Sequence, residues 1–197
     1  MSRRLSVLAA VVAALVLVPS AFAIGVHVRV EGKTRTIFGS TEPTLSVKTN
    51  VLDALEAASL AGEFYYHVKN TSFGPYVDQI GRYAATGSSG WGFKVNGVAP
   101  PVGATAVTLK PGDRVLWYWA TFGPTGGPST LVLQKTKRFC YRVLAQNDTG
   151  KTSPARGALL HVGSRTVRAR SGSACVGRHS GLVRATLKGA VRSNALR

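Results

Sequence analysis

A single stretch of this chain repeats its apolar residues at helical spacing. Behind Asn50, the residues Val51, Leu52, Leu55 and Ala58 fall on one face of a helix. Asn50 supplies a capping side chain, Asp53 suits the positive helix start, and Gly62 ends a helix of about ten residues. The remainder reads as short strands and turns. Val26, Val28 and Val30 alternate with His27, Arg29 and Glu31, a half-buried strand that turns at Gly32-Lys33 into a second run, Thr34 to Phe38. Further strands are expected at Phe64–Val68, Tyr76–Ile80, Gly92–Val95, Ala106–Leu109 and Arg114–Thr121, punctuated by Asn96-Gly97 and Pro111-Gly112-Asp113. One helix on a mixed sheet entered through a hairpin is an α+β architecture of the β-grasp kind.

The chain opens as an export signal. Arg3 and Arg4 precede the apolar run Leu5 to Val18, and Ala21-Phe22-Ala23 forms an A-x-A cleavage site. Residues 1–23 are therefore expected to be removed, leaving Ile24 as the mature start and a secreted or cell-envelope location. The apolar run falls short of the roughly 20 residues a spanning helix needs. Cys140 and Cys175 then meet an oxidising compartment, so a disulfide between them is expected, stabilising its region by roughly 3 to 4 kcal/mol on the chain-entropy argument.

Charge divides the mature chain. Residues 24–122 hold nine Lys and Arg against seven Asp and Glu, whereas residues 123–197 hold fourteen against Asp148 alone. The turn-rich segment 123–129, Gly-Pro-Thr-Gly-Gly-Pro-Ser, reads as a linker between domains at 24–122 and 130–197. In the second, Phe139–Leu144, Ala158–Val162, Arg165–Ala169 and Leu182–Leu187 read as strands, and a small all-β sandwich is the simplest account. Arg165, Arg168, Arg170, Arg178, Arg184, Lys188 and Arg192 are spaced by small and apolar residues, as a polyanion-binding face would be. Outside the cytoplasm such a face meets an anionic cell-wall polymer or membrane surface. No nucleic-acid motif is present, and no specific nucleic acid is expected.

Along Val115-Leu116-Trp117-Tyr118-Trp119, alternation sets Val115, Trp117 and Trp119 on one face and Leu116 and Tyr118 on the other. One face must meet the helix. With Trp91 and Phe93 on a neighbouring strand, an aromatic platform for a flat ligand or a sugar can be built. Trp117 and Trp119 equally suit covering a sheet face, and Asn96 equally suits a tight turn. His27, His67, His161 and His179 are scattered, with no paired metal-ligand spacing and no nucleophile motif. No catalytic residue, metal site or catalytic cofactor is expected, and the chain is read as a non-enzyme.

The ordered blocks NVLDALEAAS, FGPYVDQI, SSGWGFKVNG and PVGATAVTLKPGDRVLWYW resemble the transcobalamin-like C-terminal family, whose members are β-grasp domains. The resemblance implies cobalamin or a similar flat ligand, bound rather than used in catalysis. It places ligand contacts near Trp91 and the Pro101-Val102-Gly103 turn. In the eukaryotic carriers this domain closes over a helical barrel, which this chain does not contain, so a separate helical-barrel protein is the implied partner. The second region resembles, over a shorter stretch, prealbumin-like or bacterial immunoglobulin-like modules, whose role is spacing, adhesion or presentation. A structural or adhesion protein of the cell surface is thus the alternative to a ligand-binding module.

Overall fold

The computed structural model describes residues 23–72 and 74–197. The expected signal peptide, apart from Ala23, lies outside them. Strand β1 (Ile24–Glu31) pairs antiparallel with β2 (Thr36–Phe38) at one end and with β3 (Thr44–Val47) at the other. Helix α1 (Val51–Gly62) follows. The Asn50 side chain accepts from the backbone N–H groups of Leu52 and Asp53, and Asp53 accepts in return from the Asn50 N–H, a reciprocal cap of the kind that stabilises a short helix by about 1 kcal/mol. Its Val51, Ala54, Leu55 and Ala58 are buried.

After the helix, β4 (Tyr66–Thr71), β5 (Gly74–Ile80) and β6 (Tyr83–Ala84) form a three-stranded sheet. Strands β7 (Ser89–Val95) and β8 (Arg114–Thr121) then complete a five-stranded sheet in the order β2-β1-β8-β7, with β1 and β8 parallel. The first core lies between this sheet and α1. The α+β class expected from the sequence is the one found. The expected strand at Ala106–Leu109 is instead a 3₁₀ turn, Ala104–Ala106, followed by one bridge from Thr108 to Asn50. The expected Phe64 strand starts only at Tyr66, because Phe64 is still tied to the helix end through Ser59.

The second half is all strand: β9 (Thr130–Lys137), β10 (Cys140–Gln146), β11 (Thr152–Pro154), β12 (Ala158–Val162), β13 (Arg165–Ala169), β14 (Ser173–Cys175), β15 (Val183–Thr186) and β16 (Ala195–Leu196). One sheet runs β11-β10-β14 with β9 also on β10, the other β13-β12-β15-β16, and the second core fills the space between them. The Cys140–Cys175 disulfide joins β10 to β14. Among the described residues no helix is long and apolar enough to cross a membrane.

The two halves are packed together. Leu116, Tyr118 and Ala120, on the face of β8 turned away from the helix, form a third apolar cluster with Phe122 and with Val191 from the second half. The polar face of β1 is covered as well: Arg29 is 4% exposed and Glu31 1%. Glu31 accepts from Arg29 at 3.3 Å, from Arg192 at 3.1 Å and from Arg184. Arg184 and Arg192, expected in a polyanion-binding face, are therefore committed to this internal carboxylate. The reason is electrostatic: a carboxylate buried against the second half requires cations there to offset its desolvation. Segment 123–129 is fastened too, since the Gly127 N–H donates to Asp148 Oδ2 at 2.9 Å.

Candidate functional site

The register of β7 on β8 sets Trp91 opposite Trp119 and Phe93 opposite Trp117, so these four rings share the helix side of the sheet. Lys94 lies opposite Leu116 on the reverse side. Trp117, 2% exposed, and Trp91, 4% exposed, belong to the first core. Trp91 stands edge-on to Trp119 at 5.6 Å between ring centroids and donates its indole N–H to the Tyr83 carbonyl at 2.8 Å. Phe93 packs on Trp117 at 5.2 Å.

A cavity of about 270 Å³ opens beside this stack. Its walls come from the start of β5 (Pro75–Val77), the centre of β7 (Trp91–Phe93), the 99–104 loop, Trp117 and Tyr118 of β8, and from Phe122, Gly126, Gly127 and Asp148. Tyr76 crosses β7 only because residue 90 is glycine: a Cβ there would lie 2.6 Å from the Tyr76 hydroxyl. Burial raises the Tyr76 phenol above its ordinary pKa, and burial followed by the Asp148 charge does the same to Tyr118. Both rings thus enter the site as neutral phenols. The outward N–H and C=O of Phe93, at the free edge of the sheet, take part in no hydrogen bond among the described residues. The buried indole N–H of Trp117 likewise has no acceptor. A buried donor without a partner, like the Trp117 indole, is rare in folded proteins and costs about 1 to 3 kcal/mol.

Trp91, Phe93 and Trp117 are thus brought together at the cavity, and the four other expected ligand contacts are not. Trp119 lies on the far side of Trp91 and lines a different hollow, beside Lys33 and Arg192. Asn96 serves the hairpin turn: its amide donates to Asp113 at 2.8 Å and its carbonyl accepts from the Arg114 N–H at 3.0 Å, with φ at +52°. Pro101 and Val102 are exposed on the loop, and the wall residues from that loop are Ala99, Pro100, Gly103 and Ala104. The sequence reading missed Tyr76, which approaches from a second sheet, Phe122, which directly follows β8, and Asp148, which approaches from the second half, and no local spacing marks them.

Because Trp91 anchors both the stack and the Tyr83 carbonyl, Trp91→Ala is expected to lower stability by about 3 to 5 kcal/mol. Thermal melting checks this, and an unchanged midpoint would contradict the core assignment.

Asp148 joins the cavity to the interface. Its Oδ1 lies 3.1 Å from Lys94 Nζ, and the Ala99 N–H donates to its backbone carbonyl at 2.8 Å. Lys94 is 0% exposed, and its ammonium is also held by the carbonyls of Gln146 and Asn147 at 3.2 and 3.0 Å and by Thr130 at 3.3 Å. Burial lowers its pKa, and the bond to Asp148 acts in the opposite direction.

In the second half, the other expected polyanion contacts Arg165, Arg168, Arg170, Arg178 and Lys188 are exposed. Among the described residues none of them has an ion-pair partner, and the acid of that half, Asp148, is engaged by Lys94. Among the described residues, no three His, Cys, Asp or Glu side chains converge as metal ligands would.

Residues 48–121, from just before α1 to the end of β8, match the model of a family described as a domain of unknown function, DUF4430. No curated protein matches the chain. The matched segment contains the Trp91, Phe93 and Trp117 walls of the cavity and excludes Phe122, Gly126, Gly127 and Asp148.

Proposed function

We propose that this is an exported, non-enzymatic binding module that takes an apolar or flat ligand at the aromatic cavity, while its basic half holds it against an anionic envelope surface. The observation that carries the reading is the cavity itself: aromatic walls beside an open peptide edge at Phe93. Ligand sites combine apolar walls with a few oriented polar groups in this way. The resemblance of residues 24–122 to transcobalamin-like β-grasp domains supports a cobalamin-like ligand. At about 270 Å³ the cavity suits a projecting group or one edge of a flat ring rather than a whole macrocycle. A second protein, of the helical-barrel kind, would then cover the remainder.

The rival reading is a structural or adhesion protein of the cell surface. It is favoured by the burial of Trp91 and Trp117 and by the packing that joins the two halves.

Gly103 distinguishes them. It lines the cavity with φ at −66°, and a Cβ there meets nothing within 4 Å. Gly103→Trp should therefore fold normally and obstruct the cavity. The expected outcome is a melting midpoint like that of the parent, with at least about a tenfold loss of affinity for cobalamin, cobinamide or haem, whichever binds the parent. If none of the three binds the parent at high micromolar concentration, the flat-ligand reading is wrong and the structural one replaces it.

A further inference from the structure

The geometry points to a second binding site, for an anionic polysaccharide, in the disulfide-braced cleft at the end of the β9–β10 hairpin. This inference rests on the reading that the basic half faces an anionic polymer, and of the basic residues the sequence suggested it keeps Arg178 alone. An open hollow of about 570 Å³ is lined there by Lys135, Arg138, Phe139, Arg178, His179 and Ser180, with no acidic side chain among them.

Two chain segments build it. The turn of the hairpin carries Arg138 and Phe139, the latter with φ at +60°, a conformation that a bulky residue seldom adopts. The segment after Cys175 carries Arg178 and His179. The disulfide holds the two together, reinforced by a 2.9 Å bond from the Val176 N–H to the Phe139 carbonyl. His179 is fixed at both ring nitrogens, by the buried Tyr141 hydroxyl at 3.0 Å and the Gly181 carbonyl at 2.8 Å. It stands edge-on to Phe139 at 5.3 Å, while the Arg138 guanidinium lies 5.1 Å from the Phe139 centroid.

The result is a braced aromatic surface flanked by exposed cations. Lys135 has one bond, to the Arg197 carbonyl, and neither Arg138 nor Arg178 has an ion-pair partner among the described residues. A sugar ring can place its apolar C–H face on Phe139 while its carboxylate or phosphate meets the guanidinium groups. A polyanion without rings would use the cations alone. Phe139 therefore separates the two chemistries.

The test is calorimetric titration of the chain from Ile24 with hexagalacturonate and with a polyphosphate of similar length, at low ionic strength. Three variants are compared: Arg138→Ala/Arg178→Ala in the cleft, Phe139→Asn, which keeps a residue tolerant of positive φ, and Arg35→Ala/Arg156→Ala as a control of equal charge outside the cleft. Thermal melts verify folding, and Arg138→Gln/Arg178→Gln replaces the alanine pair if that pair is unstable. The expected result is at least about a tenfold loss of hexagalacturonate affinity in the cleft pair, from the loss of charge-assisted hydrogen bonds, and less than about twofold in the control pair. Phe139→Asn should weaken hexagalacturonate about fivefold and leave polyphosphate unchanged. Equal losses in the two arginine pairs would overturn the cleft while leaving the general electrostatic reading intact. Binding of polyphosphate alone, or equal effects of Phe139→Asn on both ligands, would overturn the sugar assignment. Failure of the parent to bind either ligand would overturn the cleft and the polymer-facing reading together.

Discussion

Glu31→Gln is expected to destabilise the protein by about 3 to 5 kcal/mol, the cost of removing one partner from a buried ion cluster. Glu31 is 1% exposed and is the carboxylate on which Arg29, Arg184 and Arg192 converge, two of them supplied by the opposite half. A neutral amide of the same shape keeps the packing but leaves three guanidinium groups facing one another with Glu42, 3.1 Å from Arg29, as their remaining carboxylate among the described residues. Burial already lowers the Arg29 and Arg184 pKa values, and the carboxylate acts against that shift. In a chain of this length the loss corresponds to a fall in melting midpoint of roughly 6 to 20 °C. Adding Arg184→Leu to Glu31→Gln should recover part of the loss by removing one of the stranded charges. A midpoint within about 2 °C of the parent for the single variant would show that the cluster is solvated and the halves are held by apolar contact alone.

Asp148→Asn should cost about 3 kcal/mol, towards the lower end of the same range because Lys94 keeps three neutral oxygen partners. The expected pH dependence has a definite sign. A lysine whose folded-state pKa is lowered binds fewer protons in the folded than in the unfolded protein once the pH exceeds that folded value, so stability rises with pH there. Without Asp148 the depression is deeper. The deficit of Asp148→Asn against the parent is therefore greatest near neutral pH and shrinks as the solution becomes alkaline. Urea unfolding at neutral and alkaline pH measures it, and a deficit that grows with pH would contradict a charged, buried Lys94. In Lys94→Met/Asp148→Asn most of the stability should return, since apolar replacement of a buried pair is often close to neutral.

Local features were the legible ones. Asn50 and Asp53 fixed the start of α1 because capping is a property of neighbouring residues, and the alternation of Val26, Val28 and Val30 identified β1. What the other side of β1 meets could not be read locally. Arg29 and Glu31 look like the solvent side of a half-buried strand, and become internal only because the second half covers them. The long-range signal was present in the charges: a region of fourteen cations and one acid has no internal partners for its arginines. Strand β9 escaped notice because Leu131 and Leu133 are its only deeply buried apolar residues, and the exposed tail Gln134–Lys137 obscures the alternation. Strand β16, two residues long, is too short to carry any period.

The site divides in the same way. Alternation correctly put Trp117 and Trp119 on one face of β8, but could not say that this face, rather than that of Leu116 and Tyr118, meets the helix. The cavity needs side chains from β5, β7, β8 and the second half, a grouping that depends on packing between elements distant in sequence.

The most direct measurement is the set of three indole N–H resonances in a ¹⁵N-labelled chain from Ile24, followed during titration with cobalamin, cobinamide and haem. Trp91 and Trp117 line the cavity, whereas Trp119 lines a separate hollow. Binding in the cavity predicts that at least one of the three compounds shifts the Trp117 resonance saturably, with Trp91 following and Trp119 moving least. If all three resonances stay in place at millimolar ligand, or if Trp119 alone moves, the aromatic cavity is not a flat-ligand site.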